Sequence, residues 1–248
     1  MVKTDSTSQK EILEALTLDS NYYGEYGKQF LSNSDIRTLL TNPEKFGDNK
    51  VNSVPIVIGG YFHTIILEPD KVDRFKIIDA TSRNTKKYKE LSGGEICLLE
   101  AEADMIAKMR DKLLGNETIA NLIQGNVEYE VPAVAEIFGE MWKGKADVIN
   151  HDEKMIIDLK TTSDIDKFRS SAYRYNYDSQ AYIYQTLFPG YEMIFVAIDK
   201  SSHRLKIADC SDKFLQSGQS KVVDAVAAYK LITSAEYNPA QYYETETL

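Results

Sequence analysis

The stretch from Lys143 to Thr162, KGKADVINHDEKMIIDLKTT, constrains this chain more than any other. Two runs rich in Val and Ile, Ala146 to Asn150 and Lys154 to Lys160, are parted by His151, Asp152 and Glu153, which is the pattern of a strand, a turn and a strand. If the loop is a two-residue type centred on Asp152 and Glu153, facing residues sum to one number and Asp147 falls opposite Asp158. The period of two then sets Lys160 on the same face and turns Ile157 and Leu159 the other way, into a core.

Directly opposed carboxylates destabilise a sheet by about 0.2–1 kcal/mol, so a cation between them is the natural compensation. Mg²⁺ suits the pair, because it takes one or two carboxylates and keeps room for water and a phosphate oxygen; Mn²⁺ is the alternative. Asp-x-Lys spacing alone is common, since Asp48 with Lys50 and Asp152 with Lys154 satisfy it too. The apolar lead-in Met155-Ile156-Ile157, the trailing Thr161-Thr162 and the partner Asp147 set Asp158-Leu159-Lys160 apart.

The chain has 248 residues, 43% of them hydrophobic, enough for one large α/β domain with a substantial core. A net charge of −9 argues against a protein that coats nucleic acid with a uniformly basic surface. An enzyme that needs positive charge only where a strand runs stays open. Lys143, Lys145, Lys160, Lys167, Arg169 and Arg174 cluster near the hairpin and are candidates for that contact. Two cysteines, Cys97 and Cys210, exclude a four-cysteine metal site held by this chain alone and point to a reducing cytoplasm. No membrane role is expected, because the longest apolar stretch, Ile56 to Leu67, is too short to span a bilayer.

Taken in order, residues 1–20 read as a frayed tail and a short amphipathic helix from Lys10 to Leu18, and residues 21–248 as the main domain. Ser32 to Asp35 offers N-caps for a helix that ends before Pro43, and Pro55 opens a helix closed by Glu68-Pro69 that carries His63. Two helices follow, Glu100 to Leu114 and Glu117 to Gln124. Asn126 to Phe138 alternates like a strand and places Glu128 and Glu130 on one face. After the hairpin, Asp178 to Phe188 reads as a helix with Gln180 and Tyr184 at i and i+4, both able to bond phosphates or bases. Two strands, Glu192 to Ile198 and Arg204 to Ala208, precede a terminal helix from Ser211 to about Ile232.

From about Tyr22 to Tyr229 the chain resembles the PD-(D/E)XK nucleases, and among them the phage-type exonucleases such as RecE and lambda exonuclease. The resemblance lies in LSNSDIRTLLTNPEKF, GGYFHTIILEP, KADVI with IIDLKTT, and AYRYNYDSQAYIY, in that order. It implies an α/β, mixed α+β fold: a restriction-endonuclease-like core whose central mixed sheet is flanked by helices, with an N-terminal helical module. It further implies that Asp147 and Asp158 hold the metal with the Leu159 backbone carbonyl, and that Lys160 is the catalytic lysine. Glu128 matches the earlier acidic position, with Glu130 a rival, and His63 matches a helical histidine near the metals. Gln180 and Tyr184 match a helix that positions DNA. Ala146 departs from the proline often found before the first Asp.

The expected function is therefore a Mg²⁺-dependent exodeoxyribonuclease acting on double-stranded DNA ends in phage-type recombination or DNA turnover. A structure-specific or nicking endonuclease, and a silent nuclease fold that only binds DNA or a partner, are the alternatives. A ring-shaped homo-oligomer and a single-strand-annealing partner are expected companions.

Overall fold

A computed structural model describes residues 6–48, 52–234 and 237; of the expected fraying of residues 1–9, residues 1–5 lie outside them, and residues 6–9 are instead helical, the first helix running Ser6–Leu16 rather than Lys10 to Leu18. Helix α1 (Ser6–Leu16) and the single turn α2 (Asp19–Tyr22) lead to α3 (Asn33–Thr41). The Ser32 backbone N–H donates to the Asp35 carboxylate at 2.9 Å and fixes the start of α3. Next come α4 (Val54–Leu67), the two-residue strand β1 (Ile77–Ile78), α5 (Lys86–Ser92), β2 (Leu98–Leu99), α6 (Glu100–Leu114) and α7 (Glu117–Ile123). The second half holds β3 (Val127–Ile137), β4 (Glu140–Asn150), β5 (Met155–Thr162), α8 (Phe168–Arg174), α9 (Tyr177–Leu187), β6 (Glu192–Asp199), β7 (Leu205–Asp209) and α10 (Asp212–Thr233).

The main sheet runs β3-β4-β5-β6-β7, antiparallel except for the parallel pair β5–β6, whose strands are joined through α8 and α9. One face of the sheet packs Trp142, Ile149, Ile156 and Phe195 against α3, α9 and α10. The other packs Val148, Ile157, Leu159 and Val196 against α4, α6 and α7. The result is a mixed α+β layer structure with helices on both sides of the sheet. Among the described residues no helix is long and apolar enough to cross a membrane.

Three other local expectations need correction. The hairpin loop has four residues, because pairing stops at Asn150↔Met155 and Lys154 takes a left-handed φ of 54°. The register is nevertheless the expected one, with Val148 opposite Ile157. Strand β4 begins at Glu140 rather than near Ala146, since Phe138 (φ 55°) and Gly139 (φ 83°) make a two-residue turn that hands Ile137 directly to Glu140. The polar, Tyr-rich stretch after the hairpin contains α8, whose apolar contacts Phe168 and Ala172 are too few to mark a period.

One irregularity of the sheet shapes the cluster of acidic residues. Along β4, Trp142 and Ala146 face the α9 layer, yet Val148 faces the α4 layer and Ile149 the α9 layer, so the alternation changes phase at Asp147. Across the ladder β3 does the same: Val131 packs on the α9 side and Val127 on the α4 side, with Glu130 between them at φ 51°. Pairing on either side keeps one register, Tyr129↔Val148 and Val131↔Ala146. Both pleats therefore invert together, and a non-glycine residue in that conformation holds about 1–3 kcal/mol of backbone strain.

Candidate active site

Strands β4 and β5 part company below Val148↔Ile157 and open a fork. Backbone groups on the fork edge of β4 find substitutes for a strand partner. Leu31 bridges across, donating its N–H to Met141 and accepting from Lys143. The Tyr184 hydroxyl takes both groups of Lys145, donating to its carbonyl at 2.9 Å and accepting from its N–H at 3.3 Å. At the apex the Asp147 carboxylate reaches over and accepts the Leu159 N–H at 2.8 Å. Glycine makes the close approach of α9 possible: a Cβ on Gly144 would lie 2.7 Å from Leu187 and 2.8 Å from Tyr184.

The titratable groups gather at this apex. His63 projects from α4, its Nδ1 3.2 Å from Asp147 Oδ2. His63, Glu130 and Asp147 each offer one ligand atom, all within 4.8 Å of one another. On β5, Lys160 Nζ lies 2.6 Å from Asp158 Oδ2, while Gln180 from α9 donates to Asp158 Oδ1. Asp158 Oδ2 is buried and ion-paired with Lys160, and a carboxylate oxygen that holds one ammonium keeps a second lone-pair direction open. The Lys160 ammonium also stands over the Tyr177 ring, 4.6 Å from its centroid.

Burial is the largest influence on each group; it sets the direction for Asp158 and Glu130, and neighbouring charges reverse it for His63, Asp147 and Lys160. Burial pushes the Asp158 carboxyl up to about 6, Asp147 adding to the rise and Lys160 opposing it. Burial and the Asp147 charge together bring Glu130 up to about 7. Burial would lower the His63 imidazole, but the charge and hydrogen bond of Asp147 outweigh it and lift it to about 9. Asp147 itself stays below the usual carboxylate range, because His63 overcomes its burial. Lys160 is raised despite burial, chiefly by Asp158, and is an ammonium at neutral pH.

Of the residues expected from the sequence, Asp147, Asp158, Lys160, His63 and Gln180 meet here. Glu128 does not. The pleat inversion at Glu130 sends it to the far end of the hairpin, where its carboxylate pairs with His151 Nε2 at 2.6 Å, and Glu130 occupies the place beside Asp147. No sequence signal marks the inversion, since the alternation of apolar residues reads straight through it.

The expected DNA contacts also stand differently. Gln180 and Tyr184 are buried braces, one holding Asp158 and the other the backbone of Lys145. Lys143 donates to the Tyr22 carbonyl and Lys145 to Asp19 at 2.6 Å, both buried under Tyr22. Neither lysine is offered to a strand. Arg174 is exposed. Leu159 is fully buried, in the α4-side core.

The donor set fits a hard divalent cation: two carboxylates and an imidazole within reach of one another, a buried carboxylate oxygen with a lone-pair direction open, and acidic groups whose pKa values mutual repulsion and burial hold up. Residues 28–247 match the family described as PDDEXK-like domain of unknown function (DUF3799). No curated protein matches the chain. Among solved structures, a Eubacterium rectale protein described as "Putative exonuclease" superposes with a TM-score of 0.65 at 15% identity, covering 93% of this chain and 95% of its own. A phage related exonuclease from Haemophilus somnus is also similar, with a TM-score of 0.37 at 15% identity over 81% of this chain and 93% of that one. With the match spanning nearly the whole length and the fork built as described, this chain belongs to the PDDEXK-like family.

Proposed function

We propose that this protein is a divalent-metal-dependent deoxyribonuclease, a Mg²⁺ enzyme that hydrolyses phosphodiester bonds of double-stranded DNA from its ends in recombination or DNA turnover. The observation that carries this reading is the convergence of Asp147, Glu130, His63 and Asp158 with Lys160 at the fork. Asp147 and Asp158, with Glu130 and His63 beside them, are the groups that would hold the cation. When bound, it supplies charge stabilisation for a phosphoryl oxygen and a lowered pKa for water.

The protein's own groups do the rest. Hydrolysis requires water to attack phosphorus in line with the leaving oxygen, and negative charge gathers on the phosphoryl oxygens as it does. Lys160, protonated and fixed between Asp158 and the Tyr177 face, answers that charge as a hydrogen-bond donor. Gln180 fixes the Asp158 rotamer, and Tyr184 fixes the edge of β4 from which Asp147 projects.

An enclosing homo-oligomer and a single-strand-annealing partner belong to the same reading, supported by the net charge of −9, which leaves a lone subunit little hold on a polyanion. The experiment is digestion of linear and of closed circular duplex, each with Mg²⁺ and with EDTA. Loss of linear duplex alone, only with Mg²⁺, is expected. Equal cutting of the circle would replace end-dependence with endonuclease action, and no cutting of either would end the nuclease reading.

A further inference from the structure

A second feature lies on the α9 side, away from the carboxylates. A cleft of about 520 Å³ opens between the end of α3 and the corner joining α8 to α9, lined by Arg37, Leu40, Thr41, Arg174, Tyr175 and Asn176. Its walls are tied together: Asn33, one turn before Arg37, donates to the Asn176 carbonyl at 3.2 Å, and Lys221 donates to Asn176 Oδ1 at 2.8 Å. Asn176 takes φ 59°, which turns the chain sharply enough to bring α8 and α9 to one corner.

Two guanidinium groups face this cleft, and among the described residues neither is paired with a carboxylate. Arg174 instead lies over the Tyr175 ring, 4.7 Å from its centroid, and donates to the Tyr175 hydroxyl at 2.7 Å. Tyr175 is 50% exposed. In a chain with 38 acidic and 29 basic residues, where Lys143, Lys145 and Lys160 near the fork are committed to Asp or backbone carbonyls, two arginines with no carboxylate partner among the described residues, beside an exposed aromatic ring, stand out.

A continuous aromatic path links the cleft to the fork. Tyr175 lies 6.2 Å from Tyr177, and Tyr177 carries the Lys160 ammonium on its face. We infer that this cleft binds the sugar-phosphate backbone and a base of a single DNA strand, with Arg37 and Arg174 on phosphates and Tyr175 stacked on the base, and that the strand runs from there to the fork; the inference rests on the nuclease reading above. An unpaired strand is the ligand that matches this chemistry. Its bases expose the faces that Tyr175 can stack on, whereas a duplex hides them, and the volume suits a nucleotide rather than a double helix.

The test uses the full chain with Ca²⁺ in place of Mg²⁺ and follows fluorescence anisotropy of a labelled oligothymidylate of about 20 nucleotides, a length that spans more than one such site. The variants are Arg37→Gln with Arg174→Gln together, Tyr175→Ala and Tyr175→Phe, all at exposed positions. Removing two phosphate contacts should lower the slope of log K against log salt by about 1.4 between about 50 and 200 mM. Tyr175→Ala should weaken binding about 5- to 100-fold and Tyr175→Phe should restore it.

Unchanged affinity and slope in the arginine pair, or Tyr175→Ala binding like the wild type, overturns the proposal, as does a wild type that fails to bind the oligomer at low salt. These outcomes are independent of cleavage. A wild type that digests duplex while the variants bind as tightly as it does sinks the cleft and keeps the nuclease; one that binds the oligomer through these residues but never cuts does the reverse.

Discussion

Gly218→Ala tests how tightly the site depends on the seat of α9. Gly218 lies in the middle of α10, where an alanine would ordinarily gain about 1 kcal/mol of helix propensity. Here a Cβ would fall 2.0 Å from the Asp178 carbonyl oxygen and 2.4 Å from its carbon. Ordinary contact begins near 3.4 Å, so the two helices would have to part by about 1.4 Å at this crossing. That movement stretches the bonds of Ser217 and Lys221 to Asp178, now 2.7 and 2.9 Å, and loosens Val222, Ala225 and Val226. Overpacking of this kind costs about 1–3 kcal/mol or more, and it reaches Gln180, two residues beyond Asp178. We expect a net loss of about 2 kcal/mol, or about 4–8 °C in Tm, with at least a tenfold fall in cleavage as Asp158 loses its brace. Thermal melts and a duplex digestion assay read the two effects. Gly59→Ala is the control, since nothing lies within 4 Å of its added Cβ, and it should gain about 0.5–1 kcal/mol. A Gly218→Ala protein as stable as wild type would refute the reasoning.

The other predictions concern the charges. Lys160→Ala should abolish cleavage and also destabilise the metal-free protein by about 3–5 kcal/mol in urea melts, because the buried Asp158 carboxylate loses its counter-charge; undiminished turnover would remove Lys160 from the chemistry. Asp158 is raised to about 6, so its favourable effect on folding is full below the unfolded value near 4 and lost as pH rises through about 6. Asp158→Asn should therefore unfold later than wild type at pH 8 in EDTA, the gain fading towards pH 4, while cleavage disappears; a less stable variant that still cuts contradicts both. Asp199 is held well below its usual range, first by the Ser202 N–H and also by Ser201 and Ile165, so its contribution is present above about pH 4 and lost as pH falls further. Asp199→Ala should cost about 2–3 kcal/mol at pH 7, and the difference should shrink in acid melts. Mg²⁺ at ten times its Kd should add about 1.4 kcal/mol, about 3–6 °C, and Asp147→Asn should erase the shift.

How much of this was legible in the sequence depends on what kind of interaction fixes each part. The register that sets Val148 against Ile157 follows from the turn and the period of two, which are local. Helices α4, α6 and α10 announce themselves by caps and apolar spacing. The choice between Glu128 and Glu130 is different, because both sit at alternate positions of one strand and only the paired pleat inversion separates them. Likewise the burial of Lys143 and Lys145 depends on α2 folding over them from more than a hundred residues upstream, and no local pattern can encode such a cover. The early half of β4 hid for a related reason: its small and charged residues are buried by tertiary contacts and do not look like a strand.

The packing of helices on both faces of a sheet made entirely from the second half of the chain has a consequence for synthesis on the ribosome. Helices α4 and α6 emerge before the strands they pack on, with Tyr61, Phe62, Ile65, Ile106 and Met109 destined for a sheet that begins only at Val127. Until β6 has followed, the parallel neighbour of β5 is missing and Leu159 has no Val196 beside it. The nascent chain must therefore carry the sheet-facing apolar surface of the α4–α6 pair uncovered until the strands have followed, a state that invites chaperones or misassociation. A fragment ending before Val127 should be unable to fold alone, and the fork, drawn from α4, β3, β4, β5 and α9, comes into being only once α9 has been made.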